Sequence, residues 1–231
     1  MSELEDWEEL VKKQLKTDNI YEILQKENLE NIDVKPYYHN NSEYKLLPKI
    51  EESTHLVAEY QEGLEDQAFA FLLNENVENL DEKSIFINNA ELSEHILTDE
   101  SNRYFSLIDV FSDDYKAEIN EHLAGELLSK SFERNICIDV SFHQNSGASI
   151  IQQLSFALAK SKELVEKFSP EILDKLIFKF AVGSQYFFEI AKVRAFKYLF
   201  NQFSKEFGKN VIPYIFVETS LRNKSKNDQD N

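Results

Sequence analysis

NICIDVSFHQNSGASIIQQLSFALAKSK, residues 135–162, joins a strand pattern to a helix pattern through one glycine. In its first half Ile136, Ile138, Val140 and Phe142 alternate with Cys137, Asp139, Ser141 and His143, so the strand has one apolar face and one polar or small face. In its second half Ile150, Ile151, Leu154 and Leu158, followed by Leu164, Val165 and Phe168, recur at three- and four-residue steps, the stripe of a helix that packs back on a sheet. Between them Gln144, Asn145, Ser146 and Gly147 form a polar loop at the carboxyl end of the strand. In barrels and open α/β sheets that end is where sites are built.

The same alternation of strand and helix extends in both directions. Strand patterns recur at His55–Tyr60, Ser84–Asn88, Phe105–Phe111, Asn135–Phe142, Leu176–Ala181 and Val211–Glu218. Helical patterns fall between most of them, at Ala68–Leu73, Ala117–Leu128, Ile150–Phe168 and Ser184–Phe207. Ser169, Pro170 and Glu171 form a helix-start signal. In the Ser184–Phe207 helix the stripe is Phe188, Ala191, Ala195, Leu199 and Phe203, with Lys192, Arg194 and Lys197 as solvated bases beside it. About six strand–helix units in a row predict a parallel α/β sheet or a (β/α) barrel over residues 51–231. Ahead of it, Leu4–Gln25 reads as a helix broken near Asp18 and Asn19, and Pro36 keeps Ile32–Tyr38 extended. Residues 1–50 therefore read as an amino-terminal helical arm and linker.

Composition narrows the function. The 231 residues include 42% hydrophobic ones and 18 Phe, enough for a sizeable core. The net charge is −17, with 12 basic against 32 acidic residues up to position 135 and 13 against 10 after it. Such a chain is unsuited to nucleic acid. No apolar run is long enough to cross a membrane or to serve as a signal peptide. Cys137 is the only cysteine, so no internal disulfide is possible and a cytoplasmic location is expected. The five glycines lie too far apart for a dinucleotide fingerprint or a P-loop. The five histidines lack zinc spacing, and His39, His55 and His95 read as surface residues.

The candidate site residues follow from the strand ends. Asp139, Ser141 and His143 share the polar face of the central strand, His143 as a general acid or hydrogen-bond donor, and Gln144 follows them. Glu218 and Thr219 end the last strand in the same way. Asp113 and Asp114 read as solvated turn residues.

Three stretches also carry a family likeness. EIAKVRAFKYLF, Glu189–Phe200, resembles the E-I-A-K-x-R-A-x-R-x-L-W helix of methylmalonyl-CoA mutases. IDVSFHQNSGASIIQQLSFALAKSKELVE resembles that family's strand, Gly-Ala turn and helix, and ETSLRNKSKNDQDN resembles its T-S-x-x-x-x-T-x-x-D-P-x-x-N ending. WEELVKKQLK, with VKPYY after it, is similar to its amino-terminal arm, whereas residues 51–134 carry little of the likeness. The resemblance implies a (β/α)8 TIM-type barrel whose interior is lined by small polar side chains so that the pantetheine arm of CoA can thread it. It also implies the adenosylcobalamin-dependent exchange of methylmalonyl-CoA and succinyl-CoA, with the cofactor bound by a further domain or a partner and not by this chain alone.

Departures from the family pattern refine this expectation. The family's Tyr-His pair places its histidine on Phe142 without gaps and on His143 with one deletion. Its arginine-bearing R-N-x-Y-I-F-P-P stretch has no counterpart between Ser112 and Asn135, and its H-C-Q-T-S reads Phe216, Val217, Glu218, Thr219, Ser220. Phenylalanine and an acid are hostile to an anionic thioester. The resemblance is therefore closest to the small subunit of heterodimeric mutases, which leaves chemistry to a large catalytic subunit. The alternative is a competent barrel fragment using His143. The family continues through two more barrel units, so the chain is expected to be an incomplete barrel.

Overall fold

In the computed structural model the described residues are 3–27, 32–38, 47–50, 53–63, 65–77, 80, 82–95, 102–112 and 118–225. His39, Asp113 and Asp114 lie outside them. The chain divides into two compact units, Met1–Leu46 and Leu47–Asn231.

The first unit holds helices α1 (Glu3–Leu15) and α2 (Ile20–Leu24), with the break at Asp18 and Asn19 where expected. Acidic Glu3, Glu5 and Asp6 at the start of α1 and Lys12 and Lys13 at its end complement the helix dipole. A short antiparallel pair follows, β1 (Lys26–Glu27) with β2 (Asp33–Val34). Trp7 stacks on Tyr37 at 5.1 Å, and the Tyr21 hydroxyl donates to Glu8 at 2.6 Å.

Among the described residues the second unit is a mixed α/β structure with seven parallel strands: β3 (Val57–Glu59), β4 (Ala70–Leu73), β5 (Ser84–Ile87), β6 (Arg103–Ser106), β7 (Ile136–Asp139), β8 (Leu176–Val182) and β9 (Tyr214–Thr219). The first four form one sheet and the last three another, both paired in chain order. Parallel bridges Phe105–Arg134 and Asp109–Cys137 join β6 to β7 across the gap. Each strand thus lies beside its sequence neighbour, the order of a barrel wall, consistent with a partial α/β barrel. The wall curls: Phe86 of β5 lies 5.3 Å from Phe216 of β9, and Phe105 of β6 lies 4.8 Å from Tyr214 of β9, although none of these strands are neighbours.

The helices are α3 (Ala90–His95), α4 (Glu121–Ser129), α5 (Ser141–Asn145), α6 (Ile150–Phe168) and α7 (Tyr186–Glu206). The outer faces of the strands pack against α4, α6 and α7 in one core that includes Ile136, Ile138, Phe178, Leu164, Phe196 and Phe200. The α6 helix has the bounds its periodicity predicts. Its Ser149 accepts from the Gln152 backbone N–H while the Gln152 side chain accepts from the Ser149 N–H, a complete capping box.

Four expectations are corrected. Ala68–Leu73, read as a helix, contains strand β4, because a four-residue apolar run buried on both faces has no periodicity to tell strand from helix. The central strand ends at Asp139 and residues 141–145 turn into the short helix α5, so Phe142 and His143 are not strand residues. The stripe of α7 faces elsewhere: Ala191, Ala195 and Leu199 are exposed, while Glu189, Lys192, Phe196 and Phe200 are buried. Phe196 and Phe200 offer more apolar area than two alanines and so set the packing face, carrying Lys192 inward with them. Ser169–Glu171 opens a 3-10 segment, Pro170–Lys175, and not an α-helix.

Phe178 holds α7 on the sheet through edge-on contacts with Phe196 and Phe200, each at 4.7 Å. Phe178→Ala is expected to cost about 3–5 kcal/mol, read from the midpoint of urea unfolding with the slope unchanged.

Candidate functional site at the carboxyl ends of the strands

The concave face of the wall has two layers. The lower one is apolar: Ala70, Phe86, Phe105, Leu107, Cys137 and Ile177, with Val57, Leu72, Tyr214 and Phe216 against them. Phe86 and Phe105 stack at 4.8 Å, and the two contacts to β9 complete a chain of four rings. An interior lined by small polar side chains was expected; aromatic rings line it instead, and Phe86, Tyr214 and Phe216 also wall a cavity of about 490 Å³. Burial drives the Cys137 thiol well above its ordinary pKa, so it stays protonated.

One step toward the carboxyl ends, the same inward positions become charged. Register sets Asp139 beside Lys179. The Lys179 ammonium stands 3.1 Å from Asp139 and 3.1 Å from Glu218, between two carboxylates. The Asp139 side chain also accepts from the Ser141 hydroxyl at 2.6 Å and from its backbone N–H at 2.8 Å, which starts α5. Beside them Lys160 of α6 pairs with Asp109 at 2.7 Å, and Asp109 accepts from the Asp139 backbone N–H at 2.9 Å. Three carboxylates and two ammonium groups therefore face one another across the mouth, with one negative charge in excess. Burial pulls the Lys179 ammonium pKa down, but Asp139 and Glu218 outweigh it, and the net shift is upward.

The structure thus brings Asp139, Ser141 and Glu218 together around Lys179. Thr219 sits one residue after Glu218, on the opposite face of β9, and is exposed. His143 is carried by α5 against Phe156, ring to ring at 4.4 Å. Burial, with help from Lys160, lowers the His143 pKa against the opposing pull of Asp109 and Asp139, so the imidazole is neutral at pH 7. Gln144 is buried on the other side of α5, at 8% exposure. Sequence reasoning passed over Lys179, Lys160 and Asp109. The available signal was Lys179 itself, a lone charge inside the apolar strand LIFKFA.

Chemically, this is a closed face. Its carboxylates are engaged by ammonium groups, its histidine is packed on a ring, and among the described residues no cluster of His, Cys, Asp or Glu could hold a metal ion. No helix among the described residues is long and apolar enough to cross a membrane.

Fold and face together are those of a mixed α/β protein with parallel sheets, consistent with a partial α/β barrel. Residues 128–231 match the methylmalonyl-CoA mutase family. It is 40% identical over 70 residues to the methylmalonyl-CoA mutase small subunit of Porphyromonas gingivalis, covering 28% of this chain and 11% of that protein. It is 33% identical over 97 residues to the methylmalonyl-CoA mutase of Rhizobium meliloti, covering 39% of this chain and 13% of that protein. The chain therefore aligns with only about an eighth of the length of these relatives.

Two outcomes test the electrostatics. Lys179→Met leaves Asp139 and Glu218 without their cation and is expected to cost roughly 1–2 kcal/mol at neutral pH in urea unfolding. Because the folded-state pKa is raised, that contribution is complete below the unfolded value near about 10.4 and is lost as pH rises through the higher folded value; the deficit of the variant should vanish there. For His143, whose folded pKa is lowered, the imidazole NMR titration should have its midpoint below about 6.5. Its contribution to stability is present above that value and falls away as the pH drops through the folded pKa; a midpoint above it would mean that Asp109 and Asp139 dominate.

Proposed function

We propose that the chain is a small-subunit-like component of an adenosylcobalamin-dependent methylmalonyl-CoA mutase, without catalytic chemistry of its own, that stabilises a large catalytic subunit in a cytoplasmic heterodimer. The observation that carries this reading is the chain of rings Phe86, Phe105, Tyr214 and Phe216 on the concave face. A CoA ester threading the axis would have to displace them and forfeit their burial, several kcal/mol in all on the order of about 2 kcal/mol per ring. The name of the Porphyromonas gingivalis relative, a small subunit, supports a larger partner.

In this reading residues 1–50 are an arm and linker and residues 51–231 a partial (β/α)8 barrel. Asp139, Ser141, His143, Gln144, Glu218 and Thr219 line or flank its mouth as structural groups. Adenosylcobalamin supplies radical chemistry to a mutase when bound. The donor set here does not suit it: His143, the histidine nearest the mouth, is stacked on Phe156, and the inner charges are paired. The cofactor is accordingly assigned to the partner or to another domain, and no catalytic step is derived for these residues. What they do is hold the mouth shut to an anionic ester, through the carboxylates of Asp109, Asp139 and Glu218 and the rings below.

The test is calorimetry with methylmalonyl-CoA and co-elution with the large catalytic subunit. The chain alone should give no saturable heat and should co-elute with the large subunit when the two are produced together. Turnover of methylmalonyl-CoA by this chain with adenosylcobalamin and no large subunit would refute the reading.

A further inference from the structure

A second polar cluster lies behind the mouth, where segments from three distant parts of the chain meet. Lys192 of α7 is 1% exposed. A buried ammonium is costly unless it is paired and hydrogen-bonded, and here it forms an ion pair with Glu189 at 2.5 Å and donates to the Ala181 carbonyl at 2.7 Å and to Gln153 at 3.1 Å. The other oxygen of Glu189 accepts from the Gly183 backbone N–H at 3.0 Å. Gln153 of α6, fully buried, passes its amide protons to the Gln144 side chain and to the Ala148 carbonyl.

The cluster continues into the loops. Asn145 accepts from the Ser220 hydroxyl at 3.1 Å and the Leu221 backbone N–H at 2.9 Å, and Asn223 donates to the Ser184 hydroxyl at 3.0 Å. Gly183 marks the crossing: a Cβ there would stand 3.1 Å from Asn223 Oδ1, 3.2 Å from Glu189 Oε1 and 3.3 Å from Gln144 Nε2. Any side chain would force one of the three apart.

We propose that Lys192, Glu189 and Gln153 are positioning residues that lock the α5 segment, the turn after β8 and the turn after β9 into one preassembled surface at the carboxyl ends of the strands. Apolar side chains would have packed α7 on the sheet as well. Directed hydrogen bonds add a fixed geometry, because the partners of the ammonium come from the end of β8, from α6 and from its own helix, and each contact constrains the segment it reaches. The arms are separable. Gln153 reaches only toward α5, Glu189 only toward Gly183, and Lys192 feeds both. This inference stands apart from the mutase reading, since it concerns backbone order in the chain alone and not turnover.

Hydrogen exchange of the full chain tests it, using hydrogen-bonded amides in each segment: Ser146, Gly147 and Ala148 for α5, Gly183 for the turn after β8, and Leu221 and Asn223 for the turn after β9. In Lys192→Met all three groups should exchange about tenfold faster while the strand amides of β7 and β8 keep their protection. In Gln153→Leu, which leaves the ion pair intact, the gain should reach Ser146–Ala148 and, through Asn145, Leu221, while Gly183 keeps its protection. Uniform acceleration across strands and turns in Gln153→Leu, unchanged exchange at Ser146–Ala148 in Gln153→Leu, or unchanged turns in Lys192→Met, overturns the proposal. Should Lys192→Met fail to fold, Gln153→Leu still decides, because loosening at Gly183 as well as α5 would show that the arms are not separable.

Discussion

A parallel sheet that curls must fill its own concave face, and this one does so with rings. Phe86 and Phe105 reach across to Phe216 and Tyr214, so strands that share no backbone hydrogen bonds are held at contact distance. Everything above depends on that contact. It fixes where the inward positions of β7, β8 and β9 point, and therefore that Asp139, Lys179 and Glu218 meet at the mouth. The helices only back the wall from outside, through Phe178, Phe196 and Phe200.

The fold was legible wherever one periodicity was strong. The α6 helix has the predicted ends because a capping box and a continuous apolar stripe agree. Legibility failed where two burial environments compete. Buried on both faces, Ala70–Leu73 shows neither period, and α7 has more apolar positions than one face can hold. The wider rings won the core there, and Ala191, Ala195 and Leu199 were left outside. The turn into α5 was hidden by the continuing alternation through Val140 and Phe142. Asp139 ends the strand by accepting from the Ser141 N–H, a local bond that outcompetes one more ladder step.

The candidate site was legible at Asp139, Ser141 and Glu218, whose spacing from the strand ends placed them at the mouth. It was not legible in charge. Lys179 was passed over and Lys192 read as a solvated base, yet Lys179 pairs with Asp139 and Glu218 and Lys192 donates to Gln153, partners about forty residues away that no local pattern contains. The likeness carried by EIAK thus gains a physical meaning: Glu189 and Lys192 face inward, and the helix they sit on is anchored to the strand end through them.

Cys137 carries a different consequence. Its thiol lies beneath the ring layer, fully buried and held protonated. A modifying reagent meets it only while the concave face stands open, and the chain holds no other cysteine to confuse the signal. The rate at which this sulfur is alkylated is therefore a clock for the opening of the concave face, built into the molecule beside the bridge that joins its two halves of sheet.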